Sequence, residues 1–351
     1  MNFSKALINW YHTHHRDLPW RHTTAAYNIW LSEIMLQQTQ VIKVLDYYRN
    51  FLEKYPTVHD LSRASEDEVL KMWQGLGYYS RARNLHKTAQ TVSENNGEFP
   101  DTYKELKKLK GIGDYTAAAI SSFAFGEAQA VLDGNVYRVL ARYLGIDLPI
   151  NSTEGVKLFK EKAKQLLDKD RPADHNQAIM EFGALHCKPK KPKCDSCPLQ
   201  IDCVAYQQNK VNELPVKLKK VKVRKRYLNY VILQDQKEHF LLQKRTEKDI
   251  WQNMFEFPLY ESQNNLNQAT TQSFNLTLPT ENLIRLTDQP IKHQLTHQSL
   301  FVHFWKLDLS ESFKTYPNLL EDYEVVTKEE LLDYAVPVLI ANYIQKHFFK
   351  G

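Results

Sequence analysis

The chain has 351 residues, a formal net charge of +5 and a composition that is 42% hydrophobic and 25% charged. This length suffices for two domains, and the composition excludes a mainly disordered chain. The N-terminus lacks the apolar run of a signal peptide, and no stretch approaches the roughly 20 apolar residues of a membrane span. We therefore expect a protein of the reducing cytoplasm. The small positive charge alone does not identify a nucleic-acid partner.

Apolar residues recur at helical spacing through the first half of the chain, for example at Val136, Val139 and Leu140. This pattern predicts an all-α domain over residues 1–208.

Glu33 lies in a predicted helix where most neighbouring side chains are apolar or neutral. On the solvated face of that helix, its carboxyl group would have no chemical role. In a dry pocket, burial would raise its pKa and keep it protonated near neutral pH, so that it could act as an acid. The spacing alone leaves both alternatives open.

Two glycines, Gly111 and Gly113, come immediately before an alanine-rich predicted helix. Glycine lets the backbone turn tightly and approach a partner, and the free N–H groups of a helix start favour an anion. Such a pair also occurs in ordinary turns. Because a short basic helix is predicted at 103–108, the whole segment predicts a helix-hairpin-helix that grips a DNA phosphate without reading the sequence.

Asp133 stands directly before another apolar-periodic helix, a position where aspartate commonly caps the helix N-terminus. We expect this carboxylate to keep a low pKa and to stay ionised, which suits the stabilisation of a cationic intermediate. Two carboxyl groups in different environments, Glu33 and Asp133, can divide the work of glycosidic cleavage. One would donate a proton while the other faces the sugar.

All four cysteines fall in one segment, 187–203, as Cys187, Cys194, Cys197 and Cys203. In a reducing compartment this clustering favours a metal site over disulfides. Four thiolates suit either tetrahedral zinc or an iron-sulfur cluster, and the ligand type does not choose between them. Four lysines in the first gap either clamp a phosphate or remain solvated. We expect a structural metal, because hydrolysis needs no electron transfer.

The pattern changes after the cysteine segment. A basic stretch at 209–226 predicts an interdomain linker, which is either only solvated or also touches phosphates. Short β-rich runs at 227–233, 239–243 and 299–305, with a closing helix around 334–348, predict an α+β domain over 227–351. The linker's basic residues are Lys217, Lys219, Lys220, Lys222, Arg224 and Lys225.

Several segments, in order along nearly the whole chain, resemble the MutY family of adenine DNA glycosylases in the endonuclease III superfamily. They are 18–20, 32–41, 73–85 and 132–136, with the cysteine segment behind them. The resemblance implies a helix-hairpin-helix glycosylase domain with one 4Fe-4S cluster, followed by a Nudix-like (MutT-like) domain that recognises 8-oxoguanine. The implied reaction is hydrolysis of the glycosidic bond of adenine opposite 8-oxoguanine or guanine in duplex DNA, in base excision repair.

The resemblance also implies roles for single residues. Glu33 would protonate adenine, at N7, and Asp133 would stabilise the oxocarbenium-like sugar, with Tyr115 and Asn135 lining the pocket. In the related endonuclease III enzymes a lysine corresponding to Tyr115 forms a Schiff base and cleaves the strand. The tyrosine therefore predicts a monofunctional enzyme, although Lys110 leaves weak lyase activity open.

Further residues resemble those with which the family contacts DNA. Gln38 and Tyr78 would enter the duplex around the flipped nucleotide, Tyr78 as a wedge, although adjacent tyrosines more often lie in a core. Flipping is required because a stacked nucleotide cannot be enclosed by a pocket. Leu295, Thr296 and His297 resemble the recognition loop for 8-oxoguanine; many members have Phe-Ser-His there. A His-rich strand edge is the alternative.

Three other functions compete with this one. The segment 250–258 resembles the Nudix fold, but no arginine-and-glutamate-rich helix follows it, which argues against a nucleotide hydrolase. A strand-cleaving glycosylase and a non-catalytic binder of damaged DNA are the remaining rivals. We expect a monomer, since one molecule per lesion is the simplest arrangement, and the sequence identifies no protein partner.

Overall fold

The computed structural model describes residues 2–218, 223–274, 276, 278 and 283–349. The chain divides into two compact units, which are described separately. The first comprises Met1–Arg63 and Asn84–Lys219, and the second comprises Ala64–Arg83 and Lys220–Gly351. Lys219, Lys220 and Lys222 of the predicted linker lie outside the described residues.

Helices form the regular structure of the N-terminal half. They are α1 (Phe3–His14), α2 (Ala26–Leu36), α3 (Val41–Lys54), α4 (Val58–Arg63), α5 (Glu66–Met72), α6 (Ser80–Glu94), α7 (Tyr103–Leu106), α8 (Asp114–Phe125), α9 (Gly134–Leu144), α10 (Thr153–Leu166), α11 (Pro172–Leu185) and α12 (Val204–Gln207). No β strand occurs between residues 2 and 218, so the prediction of an all-α first half is confirmed.

Packing among these helices places the candidate site. The buried face of α1 packs on α11, α11 packs on the start of α9, and α2 packs on α8. A Cβ atom at Gly183 would lie 2.7 Å from the Cβ of Asn135. Since real Cβ atoms do not approach so closely, only glycine permits this contact between α11 and α9. Phe159 and Phe182 fill the core around it.

A mixed sheet forms the C-terminal half. Its strands are β1 (Arg224–Gln234), β2 (Phe240–Lys244), β3 (Phe255–Glu256), β4 (Leu259–Ser262), β5 (Ile284–Arg285), β6 (Ile291–Gln294), β7 (Gln298–Asp308) and β8 (Glu324–Val326). The order β3-β2-β1-β7-β5 forms the path, with β1 and β7 parallel and the other pairings antiparallel. The three predicted strands are therefore confirmed, within an α+β fold.

The closing helix is shorter than predicted. Helix α13 (Val338–Ile344) begins four residues after Tyr334, because Pro337 occupies its N-cap. Residues Gln345–Phe349 continue it as a π-helix. Among the residues that the structure describes, no helix has both the length and the apolar character needed to span a lipid bilayer.

Candidate active site

Glu33 projects from α2 into the interior of the first unit. Its residue is only 4% exposed, and Oε2 has no hydrogen-bond partner among the described residues. Burial raises the pKa of this carboxyl group to about 7; the Tyr115 hydroxyl lowers it in part, whereas the Asp133 carboxylate raises it further. The alternative of a solvated helix residue is therefore wrong, and Glu33 can exchange a proton near neutral pH.

Asp133 caps the N-terminus of α9. One carboxylate oxygen accepts from the main-chain N–H groups of Asn135 (2.9 Å) and Val136 (2.7 Å), and the other accepts from Nδ2 of Asn135 (2.7 Å). Burial nevertheless raises its pKa above the ordinary value, and these hydrogen bonds offset only part of the increase. The expectation of a low pKa is wrong, because the helix start is buried rather than solvated.

Glu33 and Asp133 line one cavity of about 190 Å³ together with Tyr115 and Asn135. The hydroxyl group of Tyr115 lies 3.3 Å from Sδ of Met180. Burial raises the pKa of Tyr115 well above its usual value, so its hydroxyl stays protonated. The structure thus brings the four predicted catalytic residues together at one cavity.

Two arginines and a buried glutamate form a second charged group in the same cavity. Arg16 and Arg21 both donate to the carboxylate of Glu181, at 2.6 and 2.9 Å respectively. Although burial opposes ionisation, the hydrogen bonds from Arg16 and Arg21 lower the pKa of Glu181 to about 2. Glu181 therefore stays anionic, in contrast to Glu33. The sequence analysis missed this group, because nothing in local spacing pairs residue 181 with residues 16 and 21.

A larger cavity of about 600 Å³ lies beside the cysteine segment, but its chemistry differs. Its lining includes Trp10, His14, His186, Lys188 and Lys193, with no carboxyl group among the described lining residues. It therefore lacks an acid of the kind that glycosidic cleavage requires. The smaller cavity, where the carboxyl groups of Glu33 and Asp133 meet, is the candidate active site.

The predicted hairpin lies between α7 and α8. Gly111 has a φ of +76°, and a Cβ there would lie 2.7 Å from the Cβ of Asn84. Gly113 caps α8, and a Cβ there would meet nothing within 4 Å. Lys107 and Lys160 form ion pairs with Asp114 and hold the pKa of its carboxyl group well below the ordinary value. The turn is tight, and the Cβ direction of Gly113 faces open space.

The four cysteines lie close enough to influence one another. The pKa of Cys197 is raised to about 12, mainly by burial and also by the charges of Cys187, Cys203 and Cys194. Among the described residues, no group of three or more potential ligands fits a single metal ion.

Hydrogen bonds connect the cysteine segment to the cavity. Arg138 donates from Nε to the carbonyl oxygen of Cys187 at 2.8 Å, and from Nη2 to Oδ1 of Asn135 at 2.9 Å. Asn135 in turn donates to Asp133. The side chain that orients the Asp133 carboxylate is thus itself held by an arginine that touches the cysteine segment.

The predicted DNA-contacting residues occupy both units. In the first unit, Gln38 is exposed in the turn after α2, with a left-handed φ of +55°. In the second unit, Tyr78 is 44% exposed, and its hydroxyl lies 2.5 Å from that of Thr296. Tyr78, Leu295, Thr296 and His297 all line a cavity of about 380 Å³. Of the two adjacent tyrosines, Tyr79 is the one that lies in the core, with 5% exposure.

Two family models match the chain. Residues 31–168 match the HhH-GPD superfamily of base excision DNA repair proteins, and residues 229–346 match the NUDIX domain. The chain resembles a thermostable thymine-DNA glycosylase, with a TM-score of 0.55, 33% identity and coverage of 59% of this chain and 95% of that one. A trapped endonuclease III–DNA covalent intermediate matches with a TM-score of 0.51, 25% identity and coverage of 59% and 94%.

The fold and these matches define a DNA N-glycosylase of the helix-hairpin-helix type, a hydrolase of base excision repair. A relative from Buchnera aphidicola subsp. Baizongia pistaciae, an adenine DNA glycosylase, is 37% identical over 86% of this chain and 84% of its own length. The chain belongs to the adenine DNA glycosylase family.

Proposed function

We propose that this enzyme removes adenine opposite 8-oxoguanine or guanine from duplex DNA, by hydrolysis alone. The observation that carries the proposal is the cavity at which the buried, protonatable Glu33 and the helix-capping Asp133 converge. The proposal is also supported by the similarity to the Buchnera relative, which is named an adenine DNA glycosylase.

Glu33 is the acid in this proposal. With a pKa of about 7, a substantial fraction of the carboxyl groups is protonated at neutral pH. Because Oε2 has no partner among the described residues, its proton is free to pass to N7 of a bound adenine. Protonation lets the base leave as a neutral molecule when the bond from C1′ to N9 breaks. Glu33, now a carboxylate, then accepts a proton from the attacking water.

Asp133 stabilises the cationic sugar that forms when adenine leaves. Its carboxylate is held in place by the hydrogen bonds at the start of α9, so it needs no reorganisation when the positive charge develops. The same charge favours the ionised form of Asp133 and counteracts the effect of burial on its pKa. Asn135 orients this carboxylate, and Tyr115 lines the same cavity.

The enzyme leaves an abasic site and does not cut the strand. A lyase needs an amine that can attack C1′ to form a Schiff base. Tyr115 occupies the position of the lysine that would do so in endonuclease III enzymes, and the described residues that line the cavity include no lysine. Lys110, the lysine nearest to Tyr115 in sequence, is not among those lining residues and is exposed in the hairpin.

Binding of the duplex involves both halves of the chain. The glycosylase domain (1–208) grips a phosphate at Gly111 and Gly113, and Gln38 and Tyr78 enter the duplex where adenine is flipped. A linker (209–226) leads to the domain at 227–351. There Thr296 and His297, with Leu295 beside them, contact the opposite base.

One 4Fe-4S cluster is held by Cys187, Cys194, Cys197 and Cys203. The four thiols grouped in one segment and the likeness to endonuclease III support this cluster. The cluster would supply a rigid structural centre, and the lysines of the segment 188–193 would then contact phosphates. The hydrogen bonds of Arg138 and Arg142 to the segment hold its main chain.

The test uses duplexes that carry adenine opposite 8-oxoguanine, guanine or thymine. We expect breaks only after hot alkali, only at mispaired adenine, and none in the duplex with thymine. The Glu33→Gln variant should bind the 8-oxoguanine duplex without releasing adenine. Breaks without alkali would indicate a lyase, and binding without adenine release by the wild-type protein would indicate a non-catalytic binder.

A further inference from the structure

The loop that carries Tyr78 has a constrained backbone. Tyr78 has a φ of +51°, and it follows Gly75 and Gly77, whose φ values are +98° and +82°. A left-handed backbone is unfavourable for tyrosine, so surrounding contacts must hold it. Arg81 provides one contact, since it donates to the carbonyl oxygen of Gly77 at 2.9 Å and lies 5.5 Å from the centre of the Tyr78 ring.

A second arginine, Arg83, connects the helix that follows this loop to a distant turn of the same unit. Arg83, near the start of α6, donates from Nη1 to the main-chain carbonyl oxygen of Gln252 at 2.8 Å. Its Nη2 lies 3.4 Å from Oε1 of the same residue. The guanidinium group is partly buried, and this lowers its pKa. The guanidinium group of Arg83 is therefore already hydrogen-bonded within the protein.

The turn at 250–253, here called the brace turn, is itself rigidly held. Trp251 and Asn253 have left-handed φ values of +59° and +65°. Arg245 fixes both ends: its Nε donates to the carbonyl oxygen of Ile250 at 3.1 Å, and its own carbonyl oxygen accepts from the N–H of Asn253 at 2.6 Å. Arg245 is anchored in turn by Glu256 at 2.7 Å. The brace turn can thus serve as a fixed support.

The brace turn also supports the strand that leads to the recognition loop (295–297). Trp251 is 7% exposed, and its ring centre lies 6.0 Å from that of His293 in β6. Both aromatic residues line the 380 Å³ cavity together with Tyr78 and Thr296. One turn therefore contacts the start of α6, just after the loop that carries Tyr78, through Arg83. Through Trp251 it also contacts β6, which leads to the recognition loop.

From this arrangement we infer that Arg83 is a positioning residue for recognition of the opposite base. Arg83 keeps Tyr78 in the position where its hydroxyl group contacts that of Thr296. Arg83 does not touch the DNA. The inference rests on the proposed function, because it needs an enzyme that distinguishes 8-oxoguanine from guanine. The rival role for an arginine in such an enzyme is a phosphate contact, which carries no information about the base.

The experiment compares single-turnover excision of adenine opposite 8-oxoguanine and opposite guanine. For Arg83→Gln we expect the ratio of the two rates to fall about tenfold, which corresponds to the loss of one charged hydrogen bond. Arg83→Lys, which keeps a donor, should recover part of the ratio. Arg49→Gln makes the same charge change at an exposed position of α3 and should keep the wild-type ratio. Gln252→Ala leaves the main-chain acceptor in place and should also keep it.

Two further measurements separate positioning from a phosphate contact. With Thr296→Ala, the Arg83→Gln effect should be less than additive, because both changes break the same arrangement. The salt dependence of duplex binding should be unchanged. Equal losses on both duplexes, with a salt slope reduced by about one, would identify a phosphate contact and overturn the inference.

The inference and the proposed function fail in different ways. A wild-type ratio that survives in Arg83→Gln, with Tm near wild type, would overturn the inference alone. A wild-type enzyme without any preference would contradict the proposed recognition of 8-oxoguanine and, with it, this inference. If Arg83→Gln does not fold, the ratio of excision rates and the salt slope of duplex binding are measured with Arg83→Lys instead.

Discussion

Replacing Glu33 by glutamine should stabilise the first unit while abolishing catalysis. The folded protein holds the pKa of this carboxyl group at about 7, against an ordinary value of 4.5. Between these two pH values the folded chain binds more protons than the unfolded chain, so stability falls as pH rises. The wild-type protein therefore loses stability from about pH 4.5 to pH 7 and stays less stable above that window. Glutamine, which does not titrate, avoids this loss.

The size of the effect follows from the pKa difference of about 2.5 between 7 and 4.5. At about 1.4 kcal/mol for each pH unit, full ionisation costs the folded state about 3 kcal/mol. Because the side chain is almost fully buried, solvent screening does not reduce this value substantially. For a unit of about 200 residues, such a change moves Tm by roughly 6–12 °C.

The assay is thermal unfolding of wild type and Glu33→Gln at pH 5 and at pH 8.5. We expect similar Tm values at pH 5 and a higher Tm for the variant at pH 8.5. Glu53→Gln, the same change at an exposed position of α3, should follow the wild type at both values. If the curves of Glu33→Gln and wild type stay parallel across this range, the carboxyl group is not the buried titrating group that the structure indicates.

The same variant tests the acid in catalysis. Loss of a general acid should reduce single-turnover excision by about 10²–10⁴, while binding to the 8-oxoguanine duplex is retained. An excision rate close to wild type would refute the role of Glu33, whatever its effect on stability.

The remaining predictions concern other parts of the proposed enzyme. Wild-type excision should fall up to tenfold for each pH unit above about 7, as the buried acid ionises; a flat pH–rate profile would contradict this. Thr296→Ala combined with His297→Ala should lower the preference for 8-oxoguanine about tenfold in competition assays, more than the rate at saturating enzyme. Cys197→Ala should lose bound iron and visible absorbance together with thermal stability; full iron content would exclude this thiol as a ligand. Gly183→Ala should destabilise the fold by about 1–3 kcal/mol and slow excision more than mispair binding, measured in parallel.

Local residue patterns were sufficient to predict most elements, because their causes are local. Helical periodicity predicted the first half, and short β-rich runs predicted β1, β2 and β7. Asp133 was recognised as an N-cap from its place before an apolar-periodic helix, and the structure has it in that role. The closing helix was predicted to begin near Tyr334, whereas Pro337 marks its start at Val338.

The pKa values of the site were not accessible to local reasoning. The spacing around Glu33 left a solvated helix residue and a buried acid both open, and only burial in the folded chain raises its pKa to about 7. For Asp133, the predicted helix cap is confirmed, whereas the predicted low pKa is wrong because burial raises it. Both outcomes depend on desolvation, which is a property of the packed fold rather than of neighbouring residues in the chain.

The sequence by itself determined the two-part organisation, the clustered cysteines and the identity of the two carboxyl groups, because spacing and residue type carry that information. Only the tertiary structure decided which groups meet. The charged group at Glu181 joins residues about 160 positions apart, and Arg83 reaches a carbonyl group 169 positions away. Such contacts are set by helix packing and by turns with left-handed residues, whose geometry no short stretch of sequence specifies.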